Sequence, residues 1–410
     1  MLDNNLENMV KRLILCGFLI LFIGACKTTN ARKDNALLAF LLPFSPERVK
    51  QVYNHSLVKS YRQSSDCGYS CPAVDIWEYK YKDPQTGKII TSAKPISTQK
   101  RFWKSPHEAR VIAISLYGKA FYFDALLMYL ESIKNINEIN KIHDKVWGFE
   151  TFTVRVYVAK RNPRDKVRLG EIKNQTPDYM IQKLLDLGCE IAFVDNKLDE
   201  AKKDGSFWRF AVTSEKMPKG QRIRYLLRDA DSLLTAAEVY TVADWIQSGR
   251  QFHRMHLIPI CMGPLTASWW GGTHVGNGHF SDFRDLVKNY PYRFDYGDDE
   301  LFTRDIIWPR IKAIGSVVTH HFPRGGFVNT VGNPYKNSCE EPTDDFCSKL
   351  NPHSDCEDII LPETENFGGI IQALGLRTSL DELKAKHPEY FDLELYKPEN
   401  QFIYQKLKSK

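Results

Sequence analysis

Between residues 109 and 249, short β-branched runs alternate with segments of helical period, and this alternation constrains the fold more than any other feature. ARVIAISLYG (109–118) is an apolar run ending in glycine, the pattern of a buried strand. FYFDALLMYLESIK (121–134) has helical spacing, and FTVRVYVA (152–159) alternates as a strand. TPDYMIQKLLDLG (176–188) reads as a helix capped by Thr176 and stopped by Gly188, followed by a strand at EIAFVD (190–195). IRYLL (223–227) is a further strand, whereas WRFAV (208–212) is ambiguous. TAAEVYTVADWIQSG (235–249) carries a capping box, Thr235 with Glu238, and ends at Gly249. Strands alternating with helices argue for an α/β sheet with helices on both faces.

The flanks are less regular. DDELFTRDIIWPRIK (298–312) is helical up to Pro309, and GSVVTHHF (315–322) reads as a last strand. WEYKYKD and GKIITSA resemble a hairpin around Pro84 and Gly87. An amphipathic segment falls near 379–392 in an otherwise loop-rich end. The expected division is a leader at 1–26, an N-terminal extension at 27–107, the α/β domain at 108–325 and a C-terminal extension at 326–410.

The leader sets the expected compartment. Lys11 and Arg12 precede an apolar run at 13–25 that ends in small residues at Cys26, the order of a secretory signal. The run is shorter than the roughly 20 residues a membrane-crossing helix needs. Ile23-Gly24-Ala25-Cys26 resembles a lipobox, in which Cys26 would be lipidated; an uncleaved signal anchor of the type II kind is the alternative. Both readings anchor the chain at a membrane and send the rest out of the cytosol. Cys67 with Cys71, and Cys339, Cys347 and Cys356, suit disulfides in that compartment, while Cys189 and Cys261 sit in apolar surroundings as buried thiols. A net charge of +6, with acidic and basic residues alternating, gives no basic stripe and no nucleic-acid partner.

Asp229-Ala230-Asp231 follows a strand and precedes a capped helix. In an open α/β sheet, ligands sit outside the carboxyl ends of strands. Paired carboxylates there suit a hard divalent cation that shares its coordination with substrate phosphates. The bland reading is that these aspartates only bond nearby backbone N–H groups.

The order of short motifs resembles a bacterial and viral-type GT-A glycosyltransferase-like family. The motifs are Ser115-Leu116-Tyr117-Gly118, Trp208-Arg209-Phe210, Arg228-Asp229-Ala230-Asp231-Ser232, and Trp245 with Ser248 and Gly249. Phe252-His253-Arg254-Met255, Trp270-Gly271 and Tyr296-Gly297-Asp298-Asp299 complete the series, which covers about residues 108 to 325. The resemblance implies a Rossmann-related GT-A-like mixed sheet flanked by helices, and transfer of a sugar from a UDP- or GDP-linked donor to a glycan or lipid-linked acceptor. It implies that Asp229 and Asp231 bind Mn²⁺ or Mg²⁺, with His320 or His321 as a third ligand. It places Ser115, Leu116, Tyr117, Gly118, Arg228 and Asp229 at the donor nucleotide, and makes Asp298 or Asp299 a general base. Where the family continues Arg-Asp-His-Pro, this chain reads His256-Leu257-Ile258-Pro259. That change suits a different acceptor, or a domain that kept the fold as a carbohydrate-binding or structural lipoprotein without catalysis.

His253, Trp269 and Trp270 are candidates for sugar or acceptor contact, the aromatic rings by stacking and with core packing as the alternative. His253 and His256, three apart, also raise a zinc hydrolase, although no HExxH pattern accompanies them. Arg209 reads first as a core residue, with a phosphate as its other possible partner.

Overall fold

The computed structural model describes residues 76–99, 107–117, 121–142, 151–159, 176–194, 201–257, 265–276 and 298–322, with short pieces within 278–287, 356–360, 381–385 and 405–407. The expectations for the leader, Cys26, Gly118 and the disulfide candidates Cys67, Cys71, Cys339 and Cys347 lie outside the described residues. Cys189 is described as a free, buried thiol.

The strands are β1 (Ile76–Lys82), β2 (Ile89–Ser92), β3 (Glu108–Leu116), β4 (Thr153–Ala159), β5 (Glu190–Val194) and β6 (Arg222–Arg228). They continue with β7 (Phe252–Leu257), β8 (Trp270–Val275), β9 (Val317–Phe322), β10 (Cys356–Ile360) and β11 (Gln405–Leu407). The helices used below are α1 (Phe121–Ile142), α2 (Asp178–Asp186), α3 (Ala201–Trp208), α4 (Ala236–Ser248), α5 (Asp298–Phe302) and α6 (Trp308–Ile314). Among the described residues the strands form one sheet of eleven, ordered β11-β10-β9-β7-β8-β6-β3-β4-β5-β1-β2.

At its centre, β5, β4, β3 and β6 are parallel. The parallel centre begins at β3, steps outward through β4 and β5, then returns to the other side of β3 as β6. That reversal is the Rossmann-like switch between β3 and β6, and in open sheets of this kind ligands bind outside the carboxyl ends of the strands at such a point. Antiparallel β8 then lies between β6 and β7, making the sheet mixed.

Strand alternation sorts the core into two faces. Val111, Ala113, Tyr157, Ala192, Ile223, Tyr225 and Leu227 pack on one side with Phe207 and Trp208 of α3, Phe302 of α5 and Ile311 of α6. Ile112, Ile114, Leu116, Val156, Val158, Phe193 and Leu226 pack on the other with Leu126 of α1, Leu184 of α2 and Trp245 of α4. Each fully buried large apolar side chain stabilises by about 1.5–3 kcal/mol. With both faces covered, the central strands need the nearly continuous apolar runs seen in the sequence.

Two expectations are corrected, and two readings are sharpened. The ambiguous stretch 208–212 is no strand: α3 tightens into a 3₁₀ turn, Arg209–Ser214, ahead of β6. Pro309 does not end the last helix but stands at the start of α6, after a π turn, Thr303–Ile307. That turn absorbs the backbone hydrogen bond a proline cannot donate. Thr176 is no cap, because Pro177 holds that position and the Thr176 N–H donates to the Ala159 carbonyl. Finally, the β1–β2 hairpin turns at Gly87 as expected, but β1 pairs with β5, so the sheet reaches back to Ile76.

Candidate functional site

Leu227 and Leu226 point to opposite faces of β6, so Arg228 and Asp229 must also part company. Arg228 follows Leu226 onto the α4 side, where it donates to the Glu238 carboxylate and to the Leu227 carbonyl. Asp229 follows Leu227 onto the α3 side, beyond the end of the strand. The same division holds at the end of β3. Leu116 is buried among the α1 contacts, while Ser115 and Tyr117 face α3. Because Ile114 is registered with Arg228, the two strand ends lie side by side at the switch.

α4 holds the next turn in place. Thr235 Oγ1 accepts the Glu238 N–H, and Gly249 closes the helix at φ 70°, both as the sequence implies. The Glu238 side chain, however, is turned towards Arg228. This pair is structural and takes Arg228 away from any nucleotide.

The centre of the site is Arg209, which the sequence placed in the core. Its backbone N–H donates to Ser115 Oγ at 2.9 Å, fixing the start of the 3₁₀ turn against β3. Its guanidinium is 3% exposed and bridges two carboxylates, Asp229 through Nη1 and Asp299 through Nη2 at 2.9 Å. Burial opposes the charge on Arg209, but Asp229 and Asp299 outweigh it and raise its pKa. Tyr117 completes the wall, edge-on to Trp208 at 5.9 Å and stacked with Tyr122 at 6.4 Å. Gly205 makes room for it: a Cβ there would lie 2.1 Å from the Tyr117 ring. Burial, then the Asp299 charge, push the Tyr117 hydroxyl well above its ordinary value.

Acidic groups outnumber the arginine here. Asp229 and Asp299 bond the Arg209 guanidinium, and Asp231 and Glu300 lie within electrostatic reach of it. Buried carboxylates that share a site repel one another when charged, and holding a proton relieves that repulsion. Burial and the neighbouring Asp229 push the Asp231 carboxyl up to about 7. Burial also raises Asp299, against the pull of Arg209, and raises Glu300 further with Asp299 and Asp229 adding to it. Glu300 accepts the Ala267 N–H at 2.6 Å, tying the loop before β8 to α5. In that loop Trp269 is held at φ 67°, a strained conformation for a large side chain.

Several sequence candidates are not brought here. His253 lies on strand β7, not on a helix, and is 1% exposed, stacked on Trp245 at 5.5 Å. Burial pushes its pKa well down. Its ring has no accessible face for a sugar, and β7 is a strand, so the helical spacing that would pair it with His256 does not apply. His320 is fully buried on the α4 side, against His253 at 5.1 Å and with Nε2 3.1 Å from Asp244. It is three strands from β6, about 14 Å away at ordinary strand spacing, and on the opposite face from Asp229. It is therefore no third ligand for Asp229 and Asp231. His321 is described only as a backbone position of β9.

Trp270 is fully buried and Trp269 is 5% exposed, so both are core residues and neither offers a stacking face. Gly271 and Gly272 serve this packing, since a Cβ would lie 2.4 Å from the Tyr225 carbonyl or hydroxyl oxygen, respectively. Leu116 is a core contact and cannot touch a nucleotide through its side chain. Of the acidic pair opening α5, Asp299 reaches the cluster through Arg209, while Asp298 is buried at 6% exposure.

Sequence reasoning missed Glu300 and Gly205 and ranked Arg209 as core. The signal for Arg209 was present in the Trp208-Arg209-Phe210 motif, but the aromatic neighbours disguised it. Among the described residues no three His, Cys, Asp or Glu side chains converge as a preformed metal cage, and no helix is long and apolar enough to cross a membrane. No family model matches the chain, and no curated protein matches it.

Proposed function

We propose that the chain is a metal-dependent glycosyltransferase with a GT-A-like sheet, moving a sugar from a UDP- or GDP-linked donor to a glycan or lipid-linked acceptor. The observation that carries this reading is the convergence of Tyr117, Asp229, Asp231 and Asp299, from three separate elements, on one face of the β3–β6 switch. Hard carboxylate oxygens in excess over positive charge fit Mn²⁺ or Mg²⁺. Mg²⁺ in particular takes one or two carboxylates and completes its shell with water and substrate phosphates, so a preformed cage is not needed.

Asp229 and Asp231 would hold the ion, whose charge would stabilise the departing diphosphate. Tyr117 and the end of β3 would flank the nucleotide. Asp299 is a better base than Asp298, because its carboxyl faces the cluster through Arg209 and burial raises its proton affinity above that of an ordinary aspartate. In a direct displacement the acceptor hydroxyl oxygen bonds to the anomeric carbon as the sugar–phosphate bond breaks. Asp299 takes the hydroxyl proton, and the electron pair leaves with the nucleoside diphosphate. Arg209 keeps Asp299 oriented. Membrane attachment through the leader belongs to the same proposal, and loss of palmitate labelling in Cys26→Ser would identify the lipidated form.

The competing carbohydrate-binding reading is less well supported, since Trp269 and Trp270 are buried and offer no aromatic platform. A thermal-shift screen of the full chain with UDP, GDP and CMP, with and without Mn²⁺, separates the two. The transferase reading expects a metal-dependent shift with a nucleoside diphosphate that Asp231→Ala abolishes while the protein stays folded. Glycan binding without metal, and no nucleotide shift, would reject it.

A further inference from the structure

We infer that His253 is an acid-sensitive support beneath α4: a proton on its ring has no place in the closed packing, so acid releases the helix from the sheet. The device lies on the face of the sheet away from Asp229 and does not depend on the metal-site reading.

Three contacts matter where α4 meets the sheet. Glu238 in its first turn bonds Arg228 of β6, and Asp244 Oδ2 lies 3.1 Å from His320 Nε2 of β9. Trp245 stacks on His253 of β7 at 5.5 Å, and the Arg224 guanidinium of β6 lies 4.5 Å from the centre of the same tryptophan ring. The first two contacts pair a basic group with a carboxylate. The third does not. His253 is 1% exposed, and neither Nδ1 nor Nε2 has a hydrogen-bond partner among the described residues.

A protonated imidazole is a cation with two N–H donors. The charged and titratable groups near His253 are Arg224 and Arg228 from β6, His320 from β9, and Glu238 and Asp244 from α4. Arg254, next on β7, turns to the other face and lies over Trp308 of α6. Glu238 bonds Arg228, Asp244 faces His320, and neither accepts from His253. A proton on this ring would therefore create a buried charge without an acceptor, beside two arginines. Burial, then His320, Arg228 and Arg224, hold His253 well below the ordinary histidine value, in line with that geometry.

Relief is available in one direction. β7 is hydrogen-bonded to β8 on one side and to β9 on the other, so the strand is fixed. The Trp245 side chain covers the ring, and lifting α4 lets water reach the imidazole. In the open form His253 takes its proton near the ordinary value of about 6.5. The closed form excludes that proton, so its advantage is full above about pH 6.5 and shrinks as pH falls below it.

The test is amide hydrogen exchange of the full chain between pH 7 and pH 5, corrected for intrinsic exchange, in wild type and His253→Phe. Phenylalanine keeps a ring against Trp245 and carries no titratable nitrogen. The ratio of wild-type to variant protection across 236–248 should fall about tenfold or more from pH 7 to pH 5. In wild type at pH 5, those amides should be at least about tenfold less protected than those of β4, the mark of a local opening. A ratio that does not change with pH overturns the role of His253. Equal protection of α4 and β4 at pH 5 overturns the release of the helix. Should His253→Phe not fold, the α4–β4 comparison still stands, and exchange of the His253 ring C2 hydrogen in wild type reads its own titration. A midpoint below about pH 5.5 is expected, and one at or above it overturns the proposal.

Discussion

Two arginines, Arg155 and Arg209, each sit buried between two carboxylates on the same face of the sheet, yet their surroundings differ. Arg155 on β4 donates from Nε to Glu190 at 2.6 Å and from Nη1 to Glu215, while Nη2 reaches Ser97 at 2.8 Å. Glu190 also accepts the Ile96 N–H, and Ser97 bonds Glu215. The side chains of Glu190 and Glu215 are 0% and 8% exposed, so this cluster is closed. It clips the 3₁₀ turn Ile96–Thr98 onto the edge of the parallel strands. Around Arg209, one partner reaches solvent and two further carboxylates lie close by without a bond to the arginine. The lesson is that an arginine between two acids does not define a site. What sets the Arg209 cluster apart is a solvent-reaching partner and two further carboxylates not bonded to the arginine.

The largest expected effect breaks the closed cluster. Arg155→Ala leaves Glu190 and Glu215 buried without their cation and should cost about 3–5 kcal/mol. Urea unfolding of the full chain would measure it, and a loss below about 1 kcal/mol would show that the cluster is not closed. Next comes Gly205→Ala, which drives a methyl group into the Tyr117 ring beside the open cluster. The expected loss is about 1–3 kcal/mol, as for overpacked sites, together with a smaller nucleotide-dependent thermal shift. An unchanged melting temperature and nucleotide response would place Tyr117 elsewhere.

The third prediction concerns pH. Asp231 is raised in the fold to about 7, above the ordinary aspartate value near 3.9. Its contribution to stability is therefore full below about pH 4 and is lost as pH rises through 7. Asp231→Asn should gain stability over wild type between pH 5 and pH 8, by on the order of 1 kcal/mol after solvent screening. An advantage that does not grow with pH would remove Asp231 from the repelling group. Metal binding competes with the same proton, so Mn²⁺ affinity should rise through this pH range. The smallest effect is in the cap of α4: Thr235→Ala should cost about 1 kcal/mol and leave the Arg209 cluster unchanged. A loss of metal binding in that variant would show that the helix positions the carboxylates more directly than its contacts indicate.

Much of the frame was legible in residue order. The strands at 108–116, 153–159, 190–194 and 222–228 were recognisable because burial on both faces demands apolar runs. The α4 cap and stop were readable because they depend on residues close in sequence. The Asp229–Asp231 pair and its place at a strand end were visible for the same reason. His253, Trp269 and Trp270 misled because a polar or aromatic residue looks alike in a cleft and in a core. Their burial depends on α4 and the neighbouring strands, which are distant in sequence.

The sequence alone determined the α/β class, the main strands and the acidic pair, since these follow from local period, capping and turn chemistry. Only the tertiary structure decided which neighbours share a face. It turned Arg228 towards Glu238 and Asp229 towards Arg209, and brought Asp299 from 70 residues further along the chain into the same cluster. The physical reason is that strand alternation gives each side chain a direction, but only sheet order and helix packing determine what it meets there.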